Sequence, residues 1–86
     1  MGNTKEQEIL DEIEEEWTKA QMRSVMYQDD VKGRGAAEYT DEDFREIYVR
    51  TYADVAGRVR RKYNLTSKQY EALFDRTTIS GAAGSR

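Results

Sequence analysis

Apolar and small side chains recur at alternating intervals of three and four residues in the first third of the chain. They are Leu10, Ile13, Trp17, Ala20, Ser24 and Tyr27. This heptad-like spacing places them along one face of a helix, and it is typical of a helix that lies lengthwise against another helix. We therefore predict a first helix over about residues 4–27.

A second helix is predicted over about residues 41–63, where the same kind of spacing returns. Its seam consists of Tyr48, Tyr52, Val55 and Val59. Thr40 carries a side chain suited to a helix N-cap, and Asp43 stands three residues later, as in a capping box. Residues 28–40 contain two glycines and two adjacent aspartates, so we expect a loop between the two helices.

A short third helix is predicted over about residues 67–76, because Thr66 and Gln69 repeat the capping-box spacing. Its apolar residues are Tyr70, Leu73 and Phe74. The residues after it, 77–86, are β-branched at first and then mostly glycine, alanine and serine, so we expect a flexible tail there.

These elements predict an all-α fold: an antiparallel hairpin of two long helices, a short third helix and a frayed C-terminal tail. Residues 1–76 form a single domain in this interpretation. When the two seams face each other, small side chains of the first helix meet large ones of the second, which favours close packing. The predicted pairs are Ser24 with Tyr48, Ala20 with Tyr52, Trp17 with Val55, and Ile13 with Val59.

The composition argues against catalysis and against a membrane location. The chain has no histidine and no cysteine, which removes the usual general base, the thiolate nucleophile and the commonest metal ligands. We therefore expect no enzyme activity, no metal and no cofactor. No stretch is long and apolar enough to span a bilayer, and the lack of cysteine fits a reducing compartment, so we expect a cytoplasmic protein.

Charge is divided unevenly along the chain. Residues 1–43 hold 13 acids and 5 bases, a net charge of −8, whereas residues 44–86 hold 4 acids and 9 bases, a net charge of +5. In the predicted register the acids of the first helix lie beside the arginines of the second, and the two clusters neutralise each other. The same acids also form a possible docking face for a basic site on a partner: Asp11, Glu12, Glu15 and Glu16.

The basic segment around residues 58–68 allows a second interpretation, a nucleic-acid-binding helix-turn-helix. The apolar positions of that motif fall on Val59, Tyr63, Leu65, Tyr70 and Leu73. Its contacts would come from Arg58, Arg60, Arg61, Lys62, Ser67, Lys68 and Gln69. Against it, Arg60 stands where close helix packing needs a small residue, and the preceding helix is longer than the motif requires. Nucleic-acid binding is therefore the alternative function.

Three apolar residues lie outside the first helical seam, at its C-terminal end: Met22, Val25 and Met26. Methionine clusters that are exposed suit adaptable contacts with other proteins. The neighbouring charged residues would surround them as a polar rim: Asp29, Asp30, Lys32 and Arg34. We therefore predict a small acidic helical binding module that acts as a regulator, adaptor or inhibitor, with another protein or a second copy of itself as the partner.

Overall fold

The computed structural model describes residues 4–33 and 38–80, which form three helices. Helix α1 spans Thr4–Lys32, α2 spans Asp41–Tyr63 and α3 spans Ser67–Phe74. The two long helices pack side by side, and α3 contacts both of them. The predicted all-α hairpin with a short third helix is confirmed.

Helix α1 continues beyond its predicted end at residue 27. It ends at Lys32, and Gly33 follows with a φ of 64°. The Gly33 N–H donates to the Asp29 carbonyl oxygen at 2.8 Å, so a glycine in the left-handed region caps the helix. The predicted boundary was wrong because the side chains of Gln28 and Lys32 reach α2. Those contacts outweigh the loop-like composition of the segment.

The other helices begin at the predicted caps. The Thr40 side chain accepts a hydrogen bond from the Asp43 N–H, and the Asp43 carboxylate accepts one from the Thr40 N–H. Thr66 and Gln69 form the same reciprocal pair at the start of α3. Asn64 ends α2 in the left-handed conformation, with a φ of 57°. These local devices set the bounds of α2 and the beginning of α3.

The core lies where all three helices meet. It contains Ile9, Ile13, Trp17, Ala20, Val55, Val59, Tyr70 and Phe74. The aromatic rings contact one another: Trp17 is tilted against Phe74 with centroids 5.6 Å apart, and Tyr52 meets Phe74 edge to face at 4.9 Å. Tyr70 stacks on Phe74. Helix α3 therefore closes the half of the hairpin that is near its own turn.

The register of the hairpin differs from the predicted one. The Thr51 hydroxyl donates to the Ser24 hydroxyl at 3.1 Å, so Ser24 faces Thr51 rather than Tyr48. The buried face of α2 consists of Ile47, Thr51, Val55 and Val59. Tyr48 and Tyr52 turn instead toward Trp17 and α3. Half of the predicted seam was wrong: Val55 and Val59 lie on the buried face as predicted, whereas Tyr48 and Tyr52 lie beside it, because α2 also packs against α3.

Residues 77–80 follow α3 and contact α1. Thr77 is buried and donates to the Phe74 carbonyl oxygen at 2.7 Å, and Thr78 donates to a Glu14 carboxylate oxygen at 3.3 Å. Ile79 packs against the core. The first part of the predicted tail therefore has defined contacts, while residues 81–86 lie outside the described residues.

The sequence predicts that no segment is long and apolar enough to span a membrane. Within residues 4–33 and 38–80, no helix is both long enough and apolar enough to cross a bilayer.

Candidate functional site

Helix α3 and residues 77–80 form a third layer that packs on the α1–α2 hairpin, and this layer covers only part of the hairpin. We call the uncovered part the loop end: residues 22–32 of α1 and 41–51 of α2. All the exposed large hydrophobic side chains of the described residues lie there: Met22, Met26, Tyr27, Val31, Phe44, Tyr48 and Val49. Toward the opposite end, α3 and residues 77–80 bury the corresponding surface. The loop end is thus a two-helix layer with apolar groups facing solvent.

A cleft between α1 and α2 lies at the border of the loop end, and we call it the loop-end groove. It has a volume of about 470 Å³ and is lined by Trp17, Gln21, Phe44, Ile47, Tyr48, Thr51 and Ile79. Phe44 stands at its edge with 56% of its surface exposed, held by an edge-to-face contact with Tyr39 at 5.5 Å. The groove continues the core outward, because Trp17 and Ile47 are themselves buried.

The methionines that the sequence singled out lie on the opposite face of α1. Met22 and Met26 are 62% and 64% exposed. They are four residues apart and share one face of the helix, on the side opposite the buried Ser24. Val25 is half-buried beside Tyr39, whose hydroxyl lies 3.2 Å from the Val25 carbonyl oxygen. The two methionines therefore form an exposed apolar pair, as the spacing predicted, and Val25 contributes less.

Two of the predicted rim residues are engaged within the protein. The Tyr39 hydroxyl donates to Asp29 at 2.6 Å, and this bond, with burial, raises the pKa of Tyr39 to about 12. The Lys32 ammonium lies 3.2 Å from oxygens of both Asp43 and Glu46, and these hydrogen bonds raise its pKa. Asp29 and Lys32 thus hold the loop end together.

The remaining rim residues are Asp30, which is exposed, and Arg34, which lies outside the described residues.

The acidic face of α1 is only partly free. Asp11 accepts a hydrogen bond from Gln7 at 3.0 Å, and Glu15 lies 3.9 Å from Lys19, both at the surface. Glu16 is half-buried. Glu12 pairs with Lys62 of α2 at 3.1 Å, so one acid–base contact joins the two helices near the turn.

The predicted pairing of the acidic face with three arginines was wrong. Arg58 pairs with Asp54 of its own helix at 2.9 Å, and Arg60 donates to the Leu65 carbonyl oxygen at 3.2 Å. Arg61 is exposed and makes no ion pair within the described residues. The three arginines lie off the face of α2 that is buried, which contains Ile47, Thr51, Val55 and Val59.

The same contacts weaken the nucleic-acid alternative. Arg58, Arg60 and Lys62 all have partners inside the chain. The Gln69 side chain caps α3 instead of pointing outward for a base. Of the proposed contact residues, Arg61, Ser67 and Lys68 stay exposed without a hydrogen bond to the described residues. They are too few for a basic reading surface.

A second concave site was missed by the sequence reasoning. It lies between α2 and α3, has a volume of about 570 Å³ and is lined by Arg45, Tyr48, Tyr52, Glu71, Phe74, Asp75 and Ser80. We call it the aromatic pocket. Its signals in the sequence are tyrosines four residues apart on one helix and acids four residues apart on another, flanking a phenylalanine. The heptad-like spacing instead predicts that these tyrosines lie in the hairpin seam.

The described residues contain no cluster of three or more His, Cys, Asp or Glu side chains that could hold a metal ion. No family model matches the sequence, and comparison with curated proteins and with solved structures gives no significant match. The features of the described residues that bear on function are the two exposed apolar surfaces and the aromatic pocket.

Proposed function

We propose that this protein is a helical binding module that docks on another protein through the loop end of its hairpin. It acts as a regulator, adaptor or inhibitor. The observation that carries the proposal is the segregation of exposed large hydrophobic side chains: among the described residues, they all lie in the half of the hairpin that lacks a third layer.

The segregation has an energetic meaning. Scattered apolar residues on a surface need no explanation, whereas a group confined to one end of a small domain marks a contact site. Phe44, Met22 and Met26 each keep more than half of their surface in water. Burying the exposed part of one such side chain contributes about 1 kcal/mol, so a partner that covers several gains substantial affinity.

The loop-end groove indicates how the partner docks. Its lining of Trp17, Ile47 and Phe44 is apolar, and it runs between two packed helices. An amphipathic helix laid into such a groove buries its apolar side chains and completes the missing third layer. A second copy of this chain is one partner that has such a helix, with Met22 and Met26 on its exposed face.

Charge supports a protein partner with basic character. The exposed acids Asp11 and Glu15 lie on α1, and the chain has a net charge of −3. Because these acids lie outside the apolar surfaces, they raise the rate of association with a basic partner more than the final affinity. We place this activity in the cytoplasm, because the chain has no cysteine to require an oxidising compartment.

The test compares four chains: wild type, Met26→Asp, Phe44→Asp and Ser67→Asp. Ser67 is an exposed residue at the start of α3, so its replacement adds the same charge at the far end, where an acid suits the helix. Thermal melts first establish that all four fold. Sedimentation of each chain alone then measures self-association, and capture from a lysate of the source organism measures binding to other proteins.

We expect wild type and Ser67→Asp to bind the same partner, and at least one of the two loop-end variants to lose it. Loss of self-association in the same variants identifies the partner as a second copy. Equal binding by all four folded chains, or binding by none, contradicts the proposal.

A further inference from the structure

The aromatic pocket has walls suited to a positively charged group. Tyr48 and Tyr52 of α2 and Phe74 of α3 supply the aromatic surface. Tyr52 and Phe74 meet edge to face, with centroids 4.9 Å apart, so their positions are fixed by packing. The faces of aromatic rings carry negative electrostatic potential, which attracts ammonium and guanidinium groups.

Two carboxylates stand at the α3 side of this pocket. Glu71 and Asp75 are both exposed, and neither forms an ion pair within the described residues. They lie in the C-terminal half of α3 and just after it, where the negative end of the helix dipole disfavours acids. The last turn of α3 contains no basic residue to offset them. A cation in the pocket relieves this local repulsion.

The negative potential extends to the pocket wall. Burial raises the pKa of the Tyr52 hydroxyl, and the charges of Glu71 and Asp75 raise it further. The protein's own cation at the pocket, Arg45, forms no ion pair within the described residues. The pocket is therefore lined by two carboxylates, Glu71 and Asp75, and one guanidinium, Arg45, so its net charge is negative.

We propose that the aromatic pocket receives the cationic end of an arginine or lysine side chain from the partner. The proposal rests on the docking function above and adds the chemistry that the partner presents. The charged end lies between Glu71 and Asp75 while the aliphatic stem lies on the rings of Tyr48 and Tyr52. The pocket and the loop-end groove share Tyr48, so one partner segment reaches both.

The test uses short peptides as probes and does not require the natural partner. Acetyl-Gly-Arg-Gly-amide and acetyl-Gly-Lys-Gly-amide are titrated into the labelled full-length chain, and NMR shifts of the Tyr48, Tyr52 and Phe74 rings are followed. The neutral control is the same peptide with citrulline, which keeps the shape of arginine and removes its charge. We expect saturable shifts with a cationic peptide and none with citrulline.

Charge variants then locate the site. Glu71→Gln with Asp75→Asn is expected to weaken peptide binding by about tenfold, since charged hydrogen bonds are lost. Glu8→Gln with Glu38→Gln makes the same change in net charge at two exposed acids outside the pocket, and binding should stay close to wild type. Arg45→Gln should strengthen binding by removing the competing cation.

Three results would overturn the inference: shifts that do not saturate, equal binding of the citrulline peptide, or equal loss in both double variants. These outcomes are separate from those of the docking test. Peptide binding at the pocket with no effect of Met26→Asp or Phe44→Asp on partner capture would sink the docking function and keep the pocket. The reverse pattern would keep docking and reject the cationic contact.

Discussion

Replacing Tyr70 with phenylalanine should stabilise the protein. Tyr70 is 1% exposed, and its ring packs against those of Tyr52 and Phe74, with centroids 5.7 Å and 6.1 Å away. Its hydroxyl oxygen is buried and has no hydrogen-bond partner in the part of the chain the structure describes. Burial also raises the pKa of this phenol, so the group stays neutral as well as unpaired.

The expected gain follows from the cost of burying a polar group. A buried hydroxyl without a partner costs about 1–3 kcal/mol relative to hydration. Tyr70→Phe removes that cost and keeps the ring contacts, at the expense of a few dispersion contacts of the oxygen. We expect a net stabilisation of about 1 kcal/mol, which raises the Tm of a domain of this size by roughly 4–8 °C.

Thermal and urea unfolding followed by circular dichroism provide the assay. Tyr27→Phe is the control: Tyr27 is 48% exposed, so loss of its hydroxyl should leave Tm nearly unchanged. A lower Tm for Tyr70→Phe than for wild type would refute the reasoning. It would show that the hydroxyl is satisfied in solution, for example by a buried water.

Two further predictions concern the loop end and the glycines. Hydrogen bonds from Gln28 and Lys32 hold the pKa of Glu46 below its usual 4.5. The stability that Glu46 contributes is therefore complete above pH 4.5, and it is lost as the pH falls through the lowered pKa of the folded state. The Tm gap between wild type and Glu46→Gln should therefore close in acid; a gap that persists would contradict the contact. Gly33→Ala should cost about 1 kcal/mol, because its φ is 64°, whereas Gly57→Ala, within α2 and with open space around it, should stabilise by roughly 0.5–1 kcal/mol. Urea unfolding measures both, and equal signs for the two changes would contradict this account.

The parts of the fold that could be predicted are those that local chemistry determines. The capping boxes at Thr40 and Thr66 involve residues three apart, so the sequence contains all of the information. The end of α1 could not be predicted in this way. It depends on Gln28 and Lys32 meeting carboxylates of α2, more than ten residues away along the chain.

The register failed for a related reason. A heptad-like seam identifies which face of α1 is buried, but α2 has neighbours on two sides. Tyr52 belongs to the face shared with α3, where it contacts Tyr70 and Phe74, and Tyr48 lies one turn earlier against Trp17 of α1.

The candidate site, like the fold, could be predicted only where one helix contains all of its residues. Exposure of Met22 and Met26 follows from their position off the seam of one helix, which the spacing shows. The aromatic pocket joins side chains of two helices, Tyr48 and Tyr52 with Glu71 and Asp75, whose approach depends on the turn between them. Spacing along one helix contains no information about that approach.

Site-specific photo-crosslinking tests the docking function most directly. A benzoylphenylalanine residue is placed at Phe44, at Met26 or at Lys68, an exposed position on α3 at the opposite end. Each chain is irradiated in a lysate of the source organism, and adducts are identified by mass spectrometry. Docking through the loop end predicts one discrete adduct at Phe44 or Met26, formed with one partner protein or with a second copy of the chain. It predicts no adduct at Lys68. An adduct formed at Lys68 and absent from both loop-end positions would contradict it.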